Sequence, residues 1–244
     1  LFTMQKEISR PFDVHKWSDH PEVNNFVNSI YDIHFRLHKS EVLKKHLKVV
    51  LLDLYVAWQQ HPSMRIGVHM SRNAYKTKSR YNELHISQKT IDVVKELSNQ
   101  NFINLVTGFN PGKITRIWAA NKLIKLFEKA KFKSDDIRFH KNKEVLILRD
   151  SNKNDIEYTD TKKTDEMRSL LKEYNHLLSN TFIDIPELDI PNIQLDNKFI
   201  TISSHEKFVR RIFSNNSWDD NGRFYGGWWQ RIPKSWRSKI YINE

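Results

Sequence analysis

SQKTIDVVKELSNQNFINLVTGFNPGKITRIW, residues 87–118, decides how this chain folds. Ser87 is a good N-cap ahead of Gln88-Lys89-Thr90, and Ile91, Val94, Leu97 and Phe102 mark the buried stripe of a helix reaching about Gln100. Phe102 to Val106 then reads as a strand, Thr107-Gly-Phe-Asn-Pro-Gly112 as a turn, and Ile114 to Trp118 as a second strand. Upstream, Ser71 to Asn82 is polar and basic, carrying Arg72, Lys76, Lys78 and Arg80, with no acid between Asp53 and Glu83. Met64 to Met70 alternates enough for a short strand. Before Pro62, residues Val42, Leu43, His46, Leu47, Val50, Leu51, Leu54, Tyr55 and Trp58 keep helical spacing from Glu41 to about Gln60. Downstream, Asn121 starts a helix that runs to about Lys131.

Helix, strand, basic linker, helix and Gly/Pro-tipped ribbon, in that order, resemble a winged helix-turn-helix and set the class as α+β. In such a fold the second helix enters the major groove, while the wing touches backbone or minor groove. Gln88, Lys89, Asp92, Lys95 and Asn99 lie off the apolar stripe, where a reading helix would meet base edges. Lys113 and Arg116 fall on the wing. Arg65, Arg72, Lys76, Lys78 and Arg80 would meet phosphates, which gives affinity and salt dependence but no sequence reading. A second reading stays open, because winged helices also serve as protein–protein modules and Asp92 and Glu96 temper the helix's charge.

The chain has 244 residues, a net charge of +11 and no cysteine. Disulfides, thiolate zinc sites and cysteine nucleophiles are thereby excluded, and a reducing, cytoplasmic setting is expected. The longest apolar run, Val49 to Trp58, is interrupted by Asp53 and too short to span a bilayer, so no membrane partner is expected. Residues 40–140 carry 18 basic and 8 acidic side chains, residues 141–197 carry 8 and 12, and residues 198–244 carry 9 and 4. Two basic blocks flanking an acidic one favour a polyanionic partner. DNA is the partner expected, with RNA the alternative.

Four segments follow from this reading: a helical extension at 1–40 with a helix around Val23 to Leu37, the winged helix at 41–135, a stretch at 136–197, and a smaller mixed segment at 198–244. In the third, Glu144 to Asp150 and Asp155 to Tyr158 bracket a hairpin turn. A helix from about Thr164 to Leu178 has Met167, Leu170, Leu171, Tyr174 and Leu177/Leu178 as its stripe. Residues 181–197, with Pro186 and Pro191, read as an extended connector. Phe199 to Ile202 reads as a strand, and His205 to Phe213 as a helix bearing Arg210 and Arg211.

Asn221-Gly-Arg-Phe-Tyr-Gly-Gly-Trp-Trp-Gln-Arg231 holds three of the six glycines and two of the seven tryptophans. Glycine permits positive φ or close approach, aromatic rings supply stacking faces, and Arg223 and Arg231 add planar donors. Such a strip suits base stacking and backbone contact. Equally, it suits a tight hairpin whose tryptophans plug a core.

Catalytic constellations are poor. His34 and His38 sit at i,i+4 but lack a third metal ligand nearby, and no HExxH occurs. Asp135-Asp136 and Asp219-Asp220 read as caps or turns. There is no GxxxxGK[ST] loop and no GxSxG elbow.

Phe208 to Phe213, GRFYGGWWQ at 222–230, Ile232-Pro-Lys-Ser-Trp-Arg237 and Ile240-Tyr-Ile-Asn243 together resemble a family of phage- and plasmid-type proteins. In that family the segment stands just before a polymerase palm similar to those of DNA polymerase I and the single-subunit RNA polymerases. The neighbourhoods of Tyr55–Trp58 and Arg80–Asn82 are similar to the same family's N-terminal half. The resemblance implies that Arg223, Tyr225, Trp228, Trp229 and Gln230 border a template or nucleotide. It also implies that the palm carboxylates, which would hold Mg²⁺ for nucleotidyl transfer, lie beyond Glu244. The expectation is therefore a fragment that binds nucleic acid, with no cofactor of its own and no polymerising centre. The other expectation is a stand-alone replication initiator or transcription regulator, with Trp228 and Trp229 as core or dimer contacts.

Overall fold

The computed structural model describes residues 8–35, 40–108, 114–195, 198–203 and 206–243, with backbone alone at 198–199. The chain is α+β and forms two compact units, Leu1–Lys143 and Glu144–Glu244.

The first unit runs β1 (Ser9–Pro11), β2 (Lys16–Trp17), α1 (Pro21–His34), α2 (Glu41–Gln60), β3 (Arg65–Val68), α3 (Lys89–Asn99), β4 (Ile103–Val106), β5 (Thr115–Ala119), α4 (Asn121–Phe127) and β6 (Arg138–Phe139). Helix α2 is its centre. Every residue from Leu47 to Ala57 is buried, as befits a helix enclosed on all sides rather than one stripe wide. Val42, expected on the stripe, is instead exposed near the helix start.

Asp53, fully buried on α2, receives Arg10 of β1 through Nη2–Oδ1 at 2.6 Å and Nη1–Oδ2 at 3.0 Å. The Asp13 N–H also donates to its Oδ2 at 2.9 Å. These bonds seat β1 parallel to β3, and α1 adds Val23, Val27 and Ile30 to the same core. Residues 8–34 are thus integral to the unit, not an extension of it. The sheet order is β1-β3-β5-β4, with β3 and β4 both antiparallel to β5. Ile66, Ile103 and Ile117 face the core, and α3 lies against α2. Helix α4 stops at Phe127, short of the expected Lys131, and α1 stops at His34.

The second unit runs β7 (Leu146–Leu148), α5 (Lys162–Asn180), β8 (Phe182–Asp184), β9 (Asn192–Leu195), β10 (Lys198–Thr201), β11 (Arg210–Phe213), β12 (Asn221–Tyr225), α6 (Lys234–Arg237) and β13 (Tyr241–Asn243). Strand β11 is central, parallel to β7 and antiparallel to β12. Residues 210–213 are therefore a strand where a helix was expected, because hydrogen-bonded pairing with β7 on one side and β12 on the other outweighs the local pattern; His205 lies outside the described residues. The supposed connector at 181–197 is also corrected. It contains β8 and β9, with both prolines between the strands, and it buries Ile185 and Ile193. The expected hairpin at 144–158 keeps one bridge, Arg149 to Asp155, while β7 finds its strand partner far downstream in β11.

Helix α5 buries only part of its expected stripe, turned slightly from the centre its leucines suggest, with Met167 partly buried against the core. Leu171, Asn175 and Leu178 are buried, whereas Leu170, Tyr174 and Leu177 are exposed. Asn175 explains the rotation: its Nδ2 donates to Val209 O at 2.8 Å and its Oδ1 accepts from Val209 N at 2.7 Å. The amide thus satisfies both backbone groups of a buried residue.

Candidate nucleic-acid interface

Between β3 and α3 the described chain has a single 3-10 turn, Arg72–Ala74, and otherwise loop. Internal bonds hold that loop. Asn82 Nδ2 donates to Ile86 O at 2.8 Å and Lys76 O at 3.1 Å, and its Oδ1 accepts from Ile86 N at 2.8 Å. His85, at φ 51°, donates from Nδ1 to Thr77 O at 2.8 Å. Tyr75 packs with Val49, Leu84 and Ile86 and donates to His69 O at 2.7 Å; burial pushes its hydroxyl up to about 12. On this frame Arg72, Lys76 and Lys78 are exposed and Arg80 is half-buried.

The next element continues the surface. Gln88, Lys89, Asp92, Lys95 and Asn99 are all exposed, while Ile91, Val93, Val94 and Leu97 are buried. Positions 88, 92, 95 and 99 share one face at helical spacing. His46, 1% exposed on α2, fixes the start of α3: its Nδ1 donates to Val42 O at 2.6 Å and its Nε2 accepts from Ser87 N at 2.8 Å. Those partners require the neutral ring. Burial accordingly lowers the His46 pKa; the Val42 carbonyl and Asp92 oppose this, and Lys45 and Lys89 reinforce it.

The sheet engages its own arginines. The Arg65 guanidinium lies 4.4 Å from the Trp118 ring centroid, a cation–π contact. Arg116 Nη1 donates to Ile114 O at 3.0 Å and lies across Gly67, where a Cβ would sit 3.0 Å away. Lys113 lies outside the described residues.

In the second unit the glycine–aromatic strip splits. Arg223, Tyr225 and Gln230 are exposed, although Gln230 Nε2 donates to Phe224 O at 2.8 Å. Trp228 is 0% exposed, packed with Ile185, Ile193, Ile200, Ile202 and Ile232. Its expected ligand-facing role is corrected: the indole fills the core. Trp229 is half-buried against it, ring centroids 5.9 Å apart. The glycines serve the same packing. A Cβ on Gly226, at φ +123°, would meet Phe208 O at 2.5 Å, and one on Gly227 would strike the Trp229 ring. Arg211 is spent within the unit, with Nε donating to Gly222 O at 2.9 Å and its guanidinium over Phe213 and Phe224. Arg231 pairs with Glu206, and Arg210 is half-buried on β11.

His34 is held by Gln100 and Phe102, and His38 lies outside the described residues. Asp136 caps a 3-10 turn by accepting from Lys133 N, and Asp219 pairs with Lys163. Among the described residues no group of three metal-ligating side chains occurs, and no helix is long and apolar enough to cross a membrane. The loop clamp of Asn82 and His85 and the His46 anchor were missed in the sequence; an Asn in a polar stretch is a signal for side-chain-to-backbone bonds in a turn, and His85 is of a type that tolerates the left-handed region. No protein-family model, curated protein or solved structure matches the chain.

Proposed function

We propose that the chain binds nucleic acid, its first unit docking on duplex DNA with α3 toward the major groove and the 71–80 loop along the backbone. One observation carries this reading. A clamped loop presents Arg72, Lys76 and Lys78 immediately before a helix whose outward stripe is Gln88, Asp92, Lys95 and Asn99. Amides and cations of this kind read base edges and hold phosphates. The charge balance agrees: residues 1–143 carry 25 basic and 13 acidic side chains, residues 144–244 carry 15 and 16. The order helix, strand, loop, helix, antiparallel ribbon supports a winged-helix reading in which the intervening helix is reduced to one turn.

Read with the GRFYGGWWQ resemblance, the chain is the DNA-engaging portion of a phage- or plasmid-borne polymerase or replication protein, and Mg²⁺ belongs to a palm outside these residues. The burial of Trp228 favours the second reading, a replication initiator or regulator that docks the same way without catalysis. Docking is tested by measuring duplex affinity against salt for the parent and for Arg72→Ala with Lys76→Ala. The double variant should bind more weakly and lose about 2 from the slope of log affinity against log salt. An unchanged affinity and slope would remove the loop from the interface.

A further inference from the structure

We propose that the groove between α1 and α2 binds a phosphorylated small molecule with a flat or apolar body, the chemistry of a nucleoside monophosphate. A cavity of about 380 Å³ lies there, at the lower end of small-molecule sites and far larger than a bare ion needs. Lys44, Lys45 and Lys48 of α2 line it, with Glu41 the one acid among the lining side chains.

Lys48 is the central observation. The residue is 7% exposed, yet its ammonium, with three N–H donors, has one hydrogen-bond acceptor among the described residues, Asn24 Oδ1 at 2.8 Å. Its other close neighbour is the Trp17 ring, 4.0 Å from the ammonium to the centroid. Burial lowers the Lys48 pKa, with Asp19 opposing and Lys44 reinforcing. With Asp19 as its counter-charge, Lys44 close by as well and one hydrogen-bond acceptor among the described residues, the ammonium has donors to spare that an anion in the cavity would engage.

Across the groove on α1, Asn28 Oδ1 is buried with no partner among the described residues. Asn28 also lines the cavity, and its carboxamide carries two N–H donors of the kind a phosphate accepts from. Val27 supplies an apolar floor and Trp17 an indole wall, which suit the organic body rather than the anion. The site uses none of the residues of the α3 face or the 71–80 loop, so it stands apart from the docking surface.

The test titrates adenosine 5′-monophosphate into the full chain by calorimetry, with inorganic phosphate and adenosine as separate arms. The nucleotide should bind saturably at one per chain, at least tenfold more tightly than either fragment, and raise the melting midpoint. Lys45→Ala and Lys48→Met should each weaken it tenfold or more. Lys45 is only half-buried, so its variant tests the site even if Lys48→Met folds poorly. Lys76→Ala with Lys78→Ala should leave the affinity unchanged. Absence of saturable binding, or binding that survives Lys45→Ala or disappears with the loop pair, overturns the site. Inorganic phosphate bound as tightly as the nucleotide overturns recognition of the organic body.

Discussion

Replacing Trp228 with alanine separates the two roles its sequence allows. The side chain is wholly buried among five isoleucines, and an indole of this kind removes about 150–250 Å² from water. At about 25 cal/mol per Å² that is roughly 4–6 kcal/mol as an upper bound. One correction runs the other way. Trp228 Nε1 is buried without a hydrogen-bond partner among the described residues, and its removal returns a desolvation cost of about 1–3 kcal/mol. The net expectation is a loss of about 3 kcal/mol, inside the usual span for tryptophan truncation. For a unit of about 100 residues this lowers the melting midpoint by roughly 12–24 °C. Trp228→Phe, which keeps a ring and deletes the stranded N–H, should cost about 1–2 kcal/mol. The assay is a thermal melt by circular dichroism, with single-strand binding measured in parallel well below the transition. A Trp228→Ala protein that melts within about 3 °C of the parent and loses single-strand binding would refute the core assignment.

Three further outcomes are expected. Arg10→Met leaves the Asp53 carboxylate buried without its partner and should cost about 3–5 kcal/mol, with Asp53→Asn in the same background recovering part of it; a denaturant midpoint unchanged by Arg10→Met would show the pair to be dispensable. His46 has a depressed pKa, so its contribution is complete above the unfolded value of about 6.5 and declines as pH falls below it, when the unfolded chain takes up the proton first. The stability gap between parent and His46→Asn should accordingly narrow from pH 8 to pH 5, and a pH-independent gap would contradict the neutral-ring anchor. Asn82→Ala removes the loop clamp while leaving every charge in place; duplex affinity should fall several-fold with the salt slope retained, whereas unaltered affinity would mean that loop order does not matter to docking.

What could be read from the sequence divides along a physical line. The stripe of α3 was legible because Ile91, Val94 and Leu97 bury by local periodicity alone, and its polar positions fall outward by subtraction. The α5 stripe was right at Met167, Leu171 and Leu178 and misled at Leu170, Tyr174 and Leu177, because a long-range amide, Asn175, takes the interior by completing the hydrogen bonds of Val209. No window around Asn175 carries that information. Arg10 with Asp53 is the same case: an acid inside the apolar run Val49 to Trp58 announces a buried partner but not where in the chain the partner lies. The Trp228 strip was ambiguous for a different reason. Glycine beside tryptophan serves close packing as well as ligand approach, and only the contact of Gly226 with Phe208 and of Gly227 with Trp229 decides between them.

Charge, too, changes meaning once the chain is folded. Along the sequence the basic residues after 198 form a block of their own, which suggests a second polyanion surface. In three dimensions they share a unit with the acidic stretch before them, and 15 bases meet 16 acids. Some of that cancellation is direct: Arg168 is ringed by Glu144, Asp160 and Asp165, Lys163 meets Asp219, and Arg231 meets Glu206. A cation already facing a carboxylate releases few counterions from a polyanion, so it adds little to salt-dependent affinity. The excess of 12 positive charges in the first unit has no such internal balance. Electrostatic attraction to any polyanion therefore falls to that unit, and the proposed docking on nucleic acid would draw on it whichever of the two functional readings holds for the strip at 221–231.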